Sequence, residues 1–313
     1  MMQQTPLTFR SNGKLLLTGE YLVLSGAKAL ALPLIKTQSL EIIQEESSGH
    51  ALLSWYAFGP QTPWLKLLFE LPGLDIINTS DRQKSIKLQM ILLTLKQLNP
   101  DIFDGKHSYT IKTRLDFEPE WGLGTSSTLI ANLAKWAKVD PYALLQFSIG
   151  GSGYDIACAN ASAPVFFQLN HLKPLVSKAS FKPPFTDKLF FVYRGQKKDS
   201  TQGIRDFQQL TEDKDLTKQV NQITAITEAV GSTTDFDTFC ELMNQHEAIL
   251  SEILGLPPLK EQFPDFEGHV KNLGAWGGDF MLVMTQKDEN WVRTYFKDKA
   301  SDILFTYAEL VRS

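Results

Sequence analysis

The chain has 313 residues, 43% of them hydrophobic, and a formal net charge of −4. That length favours about two domains with real cores, and the negative balance offers no general attraction to nucleic acid or an acidic membrane. Cys158 and Cys240 both sit in apolar contexts, as reduced core residues of a cytosolic protein do, rather than forming a disulfide frame. The start, Met-Met-Gln-Gln-Thr-Pro, lacks the basic and apolar regions of a signal peptide, and no window approaches the length of a membrane span. A soluble, cytoplasmic protein with no nucleic-acid or membrane partner is expected.

In chain order, residues 7–58 read as β-rich. Gly13-Lys-Leu-Leu-Leu17 and Ala29-Leu-Ala-Leu32 are short apolar runs, and Gln38 to Gln44 alternates with Leu40 and Ile42 on one face. The first run ends at Thr18-Gly-Glu20, before Tyr-Leu-Val-Leu24 and a Ser25-Gly26 turn. Lys14 stands at the start of that strand and Glu20 just past its end; taken alone, such residues form a solvated pair. Ser80 to Leu98 has helical spacing, with Ile86, Met90 and Leu93 on one face and Asn99-Pro100 as the stop. Tyr109 to Phe117 alternates as a strand.

That strand delivers the chain to Glu118-Pro-Glu-Trp-Gly-Leu-Gly-Thr-Ser-Ser-Thr128, a glycine-bearing loop running into a helix. Gly122 and Gly124 permit a tight turn with exposed backbone, and Thr125 or Ser126 is positioned to supply an N-cap oxygen. Leu129, Leu133 and Trp136 or Ala137 follow at helical spacing. The start of such a helix favours an anion such as phosphate, and the hydroxyls of Thr125, Ser126 and Ser127 add hydrogen bonds or a metal contact. An ordinary capped helix after a turn is the simpler reading. No Lys follows the second glycine as in a Walker loop, and the dinucleotide-type Gly-x-Gly-x-x-Gly spacing fails at Ser127.

Asp140-Pro141 restarts a short helix with a cap and a proline at its first position. A second glycine cluster, Gly150-Gly-Ser-Gly-Tyr-Asp-Ile-Ala157, precedes an apolar stretch towards Val165-Phe-Phe167. Asp155 in it is either a turn or cap residue or a carboxylate that orients or deprotonates a hydroxyl nucleophile. Lys182-Pro-Pro184 marks a linker. Beyond it, Leu189 to Tyr193 reads as a strand ending in Arg194-Gly195, followed by a basic and hydroxyl cluster of Lys197, Lys198, Ser200 and Thr201. Leu216, Val220, Ile223 and Ile226 mark one helix; Phe239, Leu242, Met243, His246, Ile249, Leu250 and Ile253 mark another, ending at Gly255. His246 falls on its apolar face as a packed core histidine, and no metal-type histidine spacing exists. A third glycine-rich turn, Lys271-Asn-Leu-Gly-Ala-Trp-Gly-Gly-Asp279, leads into the strand Phe280–Met284; a hairpin bend is its simplest reading. A helix near Asn290–Lys297 and a strand near Ile303–Phe305 close an α+β domain.

Taken together these segments resemble the GHMP kinases, named for galactokinase, homoserine kinase, mevalonate kinase and phosphomevalonate kinase. Gly13 to Leu24 is similar to the family's first motif, Gly122 to Thr128 to its phosphate-cradling second motif, and Lys271 to Phe280 to its third. Gly153-Tyr-Asp-Ile-Ala157 resembles the segment carrying the family's catalytic Asp and spells the signature of a subgroup called GYDIA. Asn244 to Leu250 resembles the helix before the third motif, and Ser200-Thr201 a hydroxyl pair of the mevalonate-type kinases. The Tyr after Glu20 and the Gly-Gly-Asp ending are more like phosphomevalonate kinases.

The resemblance implies a two-domain α+β fold: a β-rich α/β ATP-binding domain over 1–183 carrying the phosphate loop, and a ferredoxin-like α+β domain over 184–313. It implies ATP and Mg²⁺ as cofactors and γ-phosphoryl transfer to a small-molecule acceptor of the phosphomevalonate or mevalonate type. The alternatives are a nucleotide-binding protein of this fold without transfer, or a related ATP-dependent diphosphomevalonate decarboxylase. A homodimer is left open. Lys14 and Asp155 are the implied catalytic residues; Gly122, Leu123, Gly124, Thr125, Ser126 and Ser127 would hold the ATP phosphates, with Ser126 near Mg²⁺. Glu20, Ser200, Thr201, Gly274, Ala275, Gly277 and Gly278 would contact substrate or phosphate. Two departures stand out: Trp276 replaces a glycine of the third motif, and Tyr142 to Phe147 lacks the acid that mevalonate kinases place there for Mg²⁺.

Overall fold

The computed structural model describes residues 5–171, 173–195, 200–274, 276 and 279–312. In chain order the elements are β1 (Leu7–Thr18), β2 (Ala29–Glu46), β3 (Leu52–Phe58), β4 (Pro63–Glu70), β5 (Asp75–Thr79), α1 (Arg82–Leu98), β6 (His107–Leu115), α2 (Thr125–Ala137), α3 (Pro141–Ser148) and α4 (Tyr154–Asn160). They continue as β7 (Val165–Asn170), β8 (Lys173–Lys178), β9 (Leu189–Tyr193), α5 (Ser200–Thr211), α6 (Thr217–Ser232), α7 (Phe236–Leu254), β10 (His269–Asn272), β11 (Phe280–Met284), α8 (Glu289–Lys297), β12 (Leu304–Thr306) and α9 (Tyr307–Leu310). The chain forms two compact units. One comprises the residues up to Gly13 with Lys36–Pro119 and Gly124–Asn160; the other comprises Lys14–Ile35, Glu120–Leu123 and the residues from Ala161 on.

In the first unit the later part of β2 pairs antiparallel with β6, β6 runs parallel to β3, and β4 and β5 follow antiparallel. β3 alternates strictly, burying Leu53, Trp55 and Ala57 on one face. Against that face pack Leu88, Ile91, Leu92 and Leu95 of α1, Ile130 and Leu133 of α2, Leu144 of α3 and Ile156 of α4. The inward face of α1 is thus not the row expected from its sequence: Ile86, Met90 and Leu93 are 51%, 42% and 39% exposed. Two apolar rows run along this helix, and the i, i+3, i+4, i+7 row from Leu88 is the one that meets the sheet. Asp81 caps α1 and Asp140 caps α3, with Pro141 at the first helical position as expected.

In the second unit the early part of β2 pairs with β7, and β7 with β8. The runs expected as separate strands at 29–32 and 38–44 are one 18-residue strand. Pro33 lies between the stretches of it that pair with β7 and with β6. Downstream, the order β9, helices, β10, β11, α8, β12 builds a four-stranded antiparallel sheet, β10-β11-β9-β12. This is the β-α-β-β-α-β plan of a ferredoxin-like domain, as expected. Phe190 and Val192 of β9, Met281 and Val283 of β11, and Val292 and Phe296 of α8 share its core. In the basic and hydroxyl cluster after Gly195, helix α5 begins at Ser200. Among the described residues no helix is long and apolar enough to cross a membrane.

Candidate active site

The glycine loop folds in two steps. After β6 a short 3-10 turn, Pro119–Trp121, leads to Gly122 at φ 67 and Gly124 at φ 104, both left-handed conformations that favour glycine. Gly124 itself is the N-cap of α2, with no side-chain capping bond. The expectation that Thr125 or Ser126 caps the helix therefore fails: both are already helical. The hydroxyls of Ser127 and Thr128 turn back onto the Gly124 carbonyl at 3.0 and 2.8 Å, and Thr128 also donates to Gln38. Among the described residues no N-cap side chain accepts from the first-turn N–H groups of α2, which have no intrahelical acceptor either. The Thr125 Oγ1 is buried with no hydrogen-bond partner among the described residues. An uncapped helix start beside an orphaned hydroxyl fits a bound anion such as a nucleotide phosphate.

In the same loop, the Lys14 N–H donates to the Leu123 carbonyl at 2.9 Å, so the first motif's strand and the second motif's turn are stitched together at the backbone. Trp121 packs its ring edge-on against Phe280 and Phe305, and the Tyr193 hydroxyl donates to the Glu120 carbonyl at 3.4 Å. The turn is thereby seated on the four-stranded sheet.

Asp155 is the second residue of α4, after Gly150, Gly151 and Gly153 at φ 70, 120 and 91. It is not the cap but lies in the first turn of the helix. Gly153 is required twice over, since a Cβ there would lie 3.0 Å from the Tyr142 ring. α3 carries no acid along its length. Among the described residues no group of three or more His, Cys, Asp or Glu side chains is assembled for a metal. Ser126 carries a hydroxyl of the chemistry that would complement nucleotide phosphates around Mg²⁺.

Glu20 lies elsewhere in this chemistry. It is 3% exposed rather than solvated, and its carboxylate meets Lys271 Nζ at 2.6 Å. His246 is fully buried as expected for a core histidine, yet it is bonded: its Nε2 accepts the Gly19 N–H at 2.8 Å and lies 3.2 Å from Glu20. Burial pushes the Glu20 carboxyl up to about 7 against the opposing pull of Lys271. Burial, with Lys271 adding to it, holds His246 well below the usual imidazole range. Glu247, next along α7, accepts from Asn272 through both its backbone and side chain. The first and third motifs are thus joined through a buried polar cluster, and nothing in local sequence announces the partner of Glu20.

The third motif is a hairpin bend, as expected: Asn272 of β10 pairs with Met281 of β11. Gly274 has φ 72. The Trp276 N–H donates to the Tyr21 hydroxyl at 2.9 Å, and Tyr21 stacks on Phe207 of α5. Ala275, Gly277, Gly278, Lys197 and Lys198 lie outside the described residues, as do the side chains of Ser200 and Thr201. Asp279, which sequence reading passed over as a motif ending, is 6% exposed and sits with its carboxylate against Gly122.

Comparison with solved structures decides the architecture. Over 96% of this chain and 95% of the other, the L. major mevalonate kinase in complex with R-mevalonate is similar with a TM-score of 0.67 at 14% identity. The chain has the GHMP kinase fold. The Streptococcus pneumoniae phosphomevalonate kinase, solved with phosphomevalonate and AMPPNP, is similar at a TM-score of 0.69 and 16% identity, covering 96% of this chain and 99% of that one. The Lactococcus lactis galactokinase, complexed with galactose, follows at 0.62 and 12%, covering 95% and 89%. No protein-family model matches the sequence, and no curated protein matches it. At this distance the likeness is one of fold alone, and the ligands bound by these neighbours, R-mevalonate, phosphomevalonate and galactose, differ from one another.

Proposed function

We propose that the chain is an ATP-dependent small-molecule kinase that transfers the γ-phosphoryl group to an acceptor of the phosphomevalonate or mevalonate type. The observation that carries the reading is the start of α2: a glycine turn followed by a helix that no side chain caps. Backbone N–H groups there would hold the nucleotide phosphates, within an ATP-binding domain assigned to 1–183. With an alcohol acceptor, Asp155 would accept the hydroxyl proton as the acceptor oxygen bonds to the γ-phosphorus and the bond to the β–γ bridging oxygen breaks, releasing ADP; with a phosphate acceptor, an ionised phosphate oxygen would make the same bond with no proton to remove. Lys14 would neutralise charge on the transferring group. Mg²⁺, when bound with the nucleotide, would neutralise phosphate charge, with Ser126 as the hydroxyl that would hold it. The mevalonate-type acceptor is favoured by the Gly-Glu-Tyr of the first motif, the Gly-Gly-Asp of the third, and the ligands of the neighbours.

The absence of an acid from α3 favours a second reading, nucleotide binding without transfer. One assay separates the two: ADP formation from ATP and Mg²⁺ with a panel of mevalonate, phosphomevalonate, diphosphomevalonate, galactose and heptose 1-phosphate. Acceptor-dependent ADP with a phosphorylated product supports the kinase. Nucleotide binding with no turnover on any acceptor supports the silent reading, and carbon dioxide release from diphosphomevalonate would replace both with a decarboxylase.

A further inference from the structure

The glycine at 122 has a neighbour that a phosphate site does not require. A Cβ built on Gly122 would lie 2.0 Å from Oδ2, 2.2 Å from Cγ and 2.7 Å from Oδ1 of Asp279. Real Cβ atoms do not approach other heavy atoms so closely, and Asp279 is poorly able to withdraw. It is 6% exposed, its own backbone is in the left-handed region at φ 49, and its carbonyl accepts the Arg194 N–H at 2.8 Å. Gly274, by contrast, would place its Cβ 3.9 Å from the same carboxylate, an ordinary contact. Among the described glycines, such closeness to Asp279 is specific to Gly122. The charge of Asp279 also reaches Tyr193, whose hydroxyl is raised first by burial and then by Asp279, and that hydroxyl donates to the Glu120 carbonyl of the same turn.

We infer that Asp279 is a positioning residue for the second glycine turn: its side chain seats Gly122, and its bulk is what demands glycine there. The hairpin bend is then held to the turn at Asp279 and to the first motif at Trp276 and Tyr21, so the third motif acts as a fixed wall for the turn. The functional part of this inference rests on the turn being the nucleotide site; the seating itself does not.

The test is a mutant cycle of Gly122→Ala, Asp279→Gly and the double variant, with Gly122→Ala/Asp279→Asn as a fourth protein. Glycine suits the left-handed backbone at 279 while removing the carboxylate, and Asn keeps its shape without its charge. Two readouts are taken: the thermal midpoint without ligand, and the Kd for AMPPNP with Mg²⁺ by calorimetry. Gly122→Ala should weaken AMPPNP by roughly tenfold or more and lower the midpoint. In the Asp279→Gly background the same change should cost less than about threefold, the remainder being the positive φ at 122. With Asn at 279 the loss should return in full. Equal losses from Gly122→Ala in both backgrounds would overturn the inference, as would relief by Asn. If Gly122→Ala does not fold, recovery of folding in the double variant is the expected result and its failure the contrary one. If the unaltered protein binds no nucleotide, the kinase reading fails while the midpoints still decide the seating.

Discussion

Two kinds of helix start coexist in this molecule. α1, α3, α7 and α8 each begin behind an aspartate, Asp81, Asp140, Asp235 and Asp288, whose carboxylate accepts a first-turn N–H at 2.8 to 3.1 Å. α2 begins behind Gly124 with no side-chain capping bond among the described residues. At these four helices the chain supplies its own anion, and that bond to the backbone holds the Asp81 and Asp235 carboxyls below their usual range. Where it follows the glycine turn it leaves the same donors open, at some loss of helix stability, which is the arrangement expected of a site for an anion from outside.

The largest effect that would sharpen this contrast is chemical. Asp155→Asn should lower kcat by on the order of 100-fold or more while leaving the Kd for AMPPNP within about twofold, read by ADP formation and calorimetry. Undiminished turnover would remove Asp155 from the reaction. Next, Gly124→Asp would give α2 the internal anion the other helices have, and should weaken AMPPNP by about tenfold or more through competition and repulsion. Tight binding by that variant would break the comparison. Conversely, Asp288→Ala should cost about 1 kcal/mol of stability in urea unfolding and leave nucleotide affinity alone.

The smallest effect concerns the buried cluster. The Glu20 carboxyl is raised in the folded protein from 4.5 to about 7, so the native state binds its proton more tightly than the unfolded chain. Its contribution to stability is full below pH 4.5 and is lost as pH rises to about 7. His246, held neutral, works in the opposite sense, losing stability as pH falls below its ordinary 6.5. Glu20→Gln should therefore make the slope of stability against pH less negative between about 4.5 and 7, by less than one proton. An unchanged slope in urea titrations at those pH values would contradict the assignment.

Much of this was legible in the sequence where information is local. Asp140-Pro141, Gly255 after α7, the alternation of β6 and the hairpin at Asn272 are each written within a few residues of where they act. The glycine turn was legible too, but its cap was not: Thr125 and Ser126 are good capping residues in general, and Gly124 took the role because only it tolerates φ 104. The inward face of α1 was hidden by its second apolar row. Helix α5 was hidden because its first turn carries hydroxyls after a lysine pair, a pattern shared with loops. Glu20 and Lys271 stand 251 positions apart, and no periodicity links residues so distant. The Asp279–Gly122 seating escaped for the same reason.

The most direct measurement is an amide NMR titration of the protein with AMPPNP and Mg²⁺, following the N–H signals of Gly122 to Ser127 beside those that follow Asp81, Asp235 and Asp288. The account predicts saturable shifts at the start of α2, with the aspartate-capped starts of α1, α7 and α8 unmoved. Saturation of the protein with no shift from Gly122 to Ser127, or equal shifts at the capped helices, would contradict it.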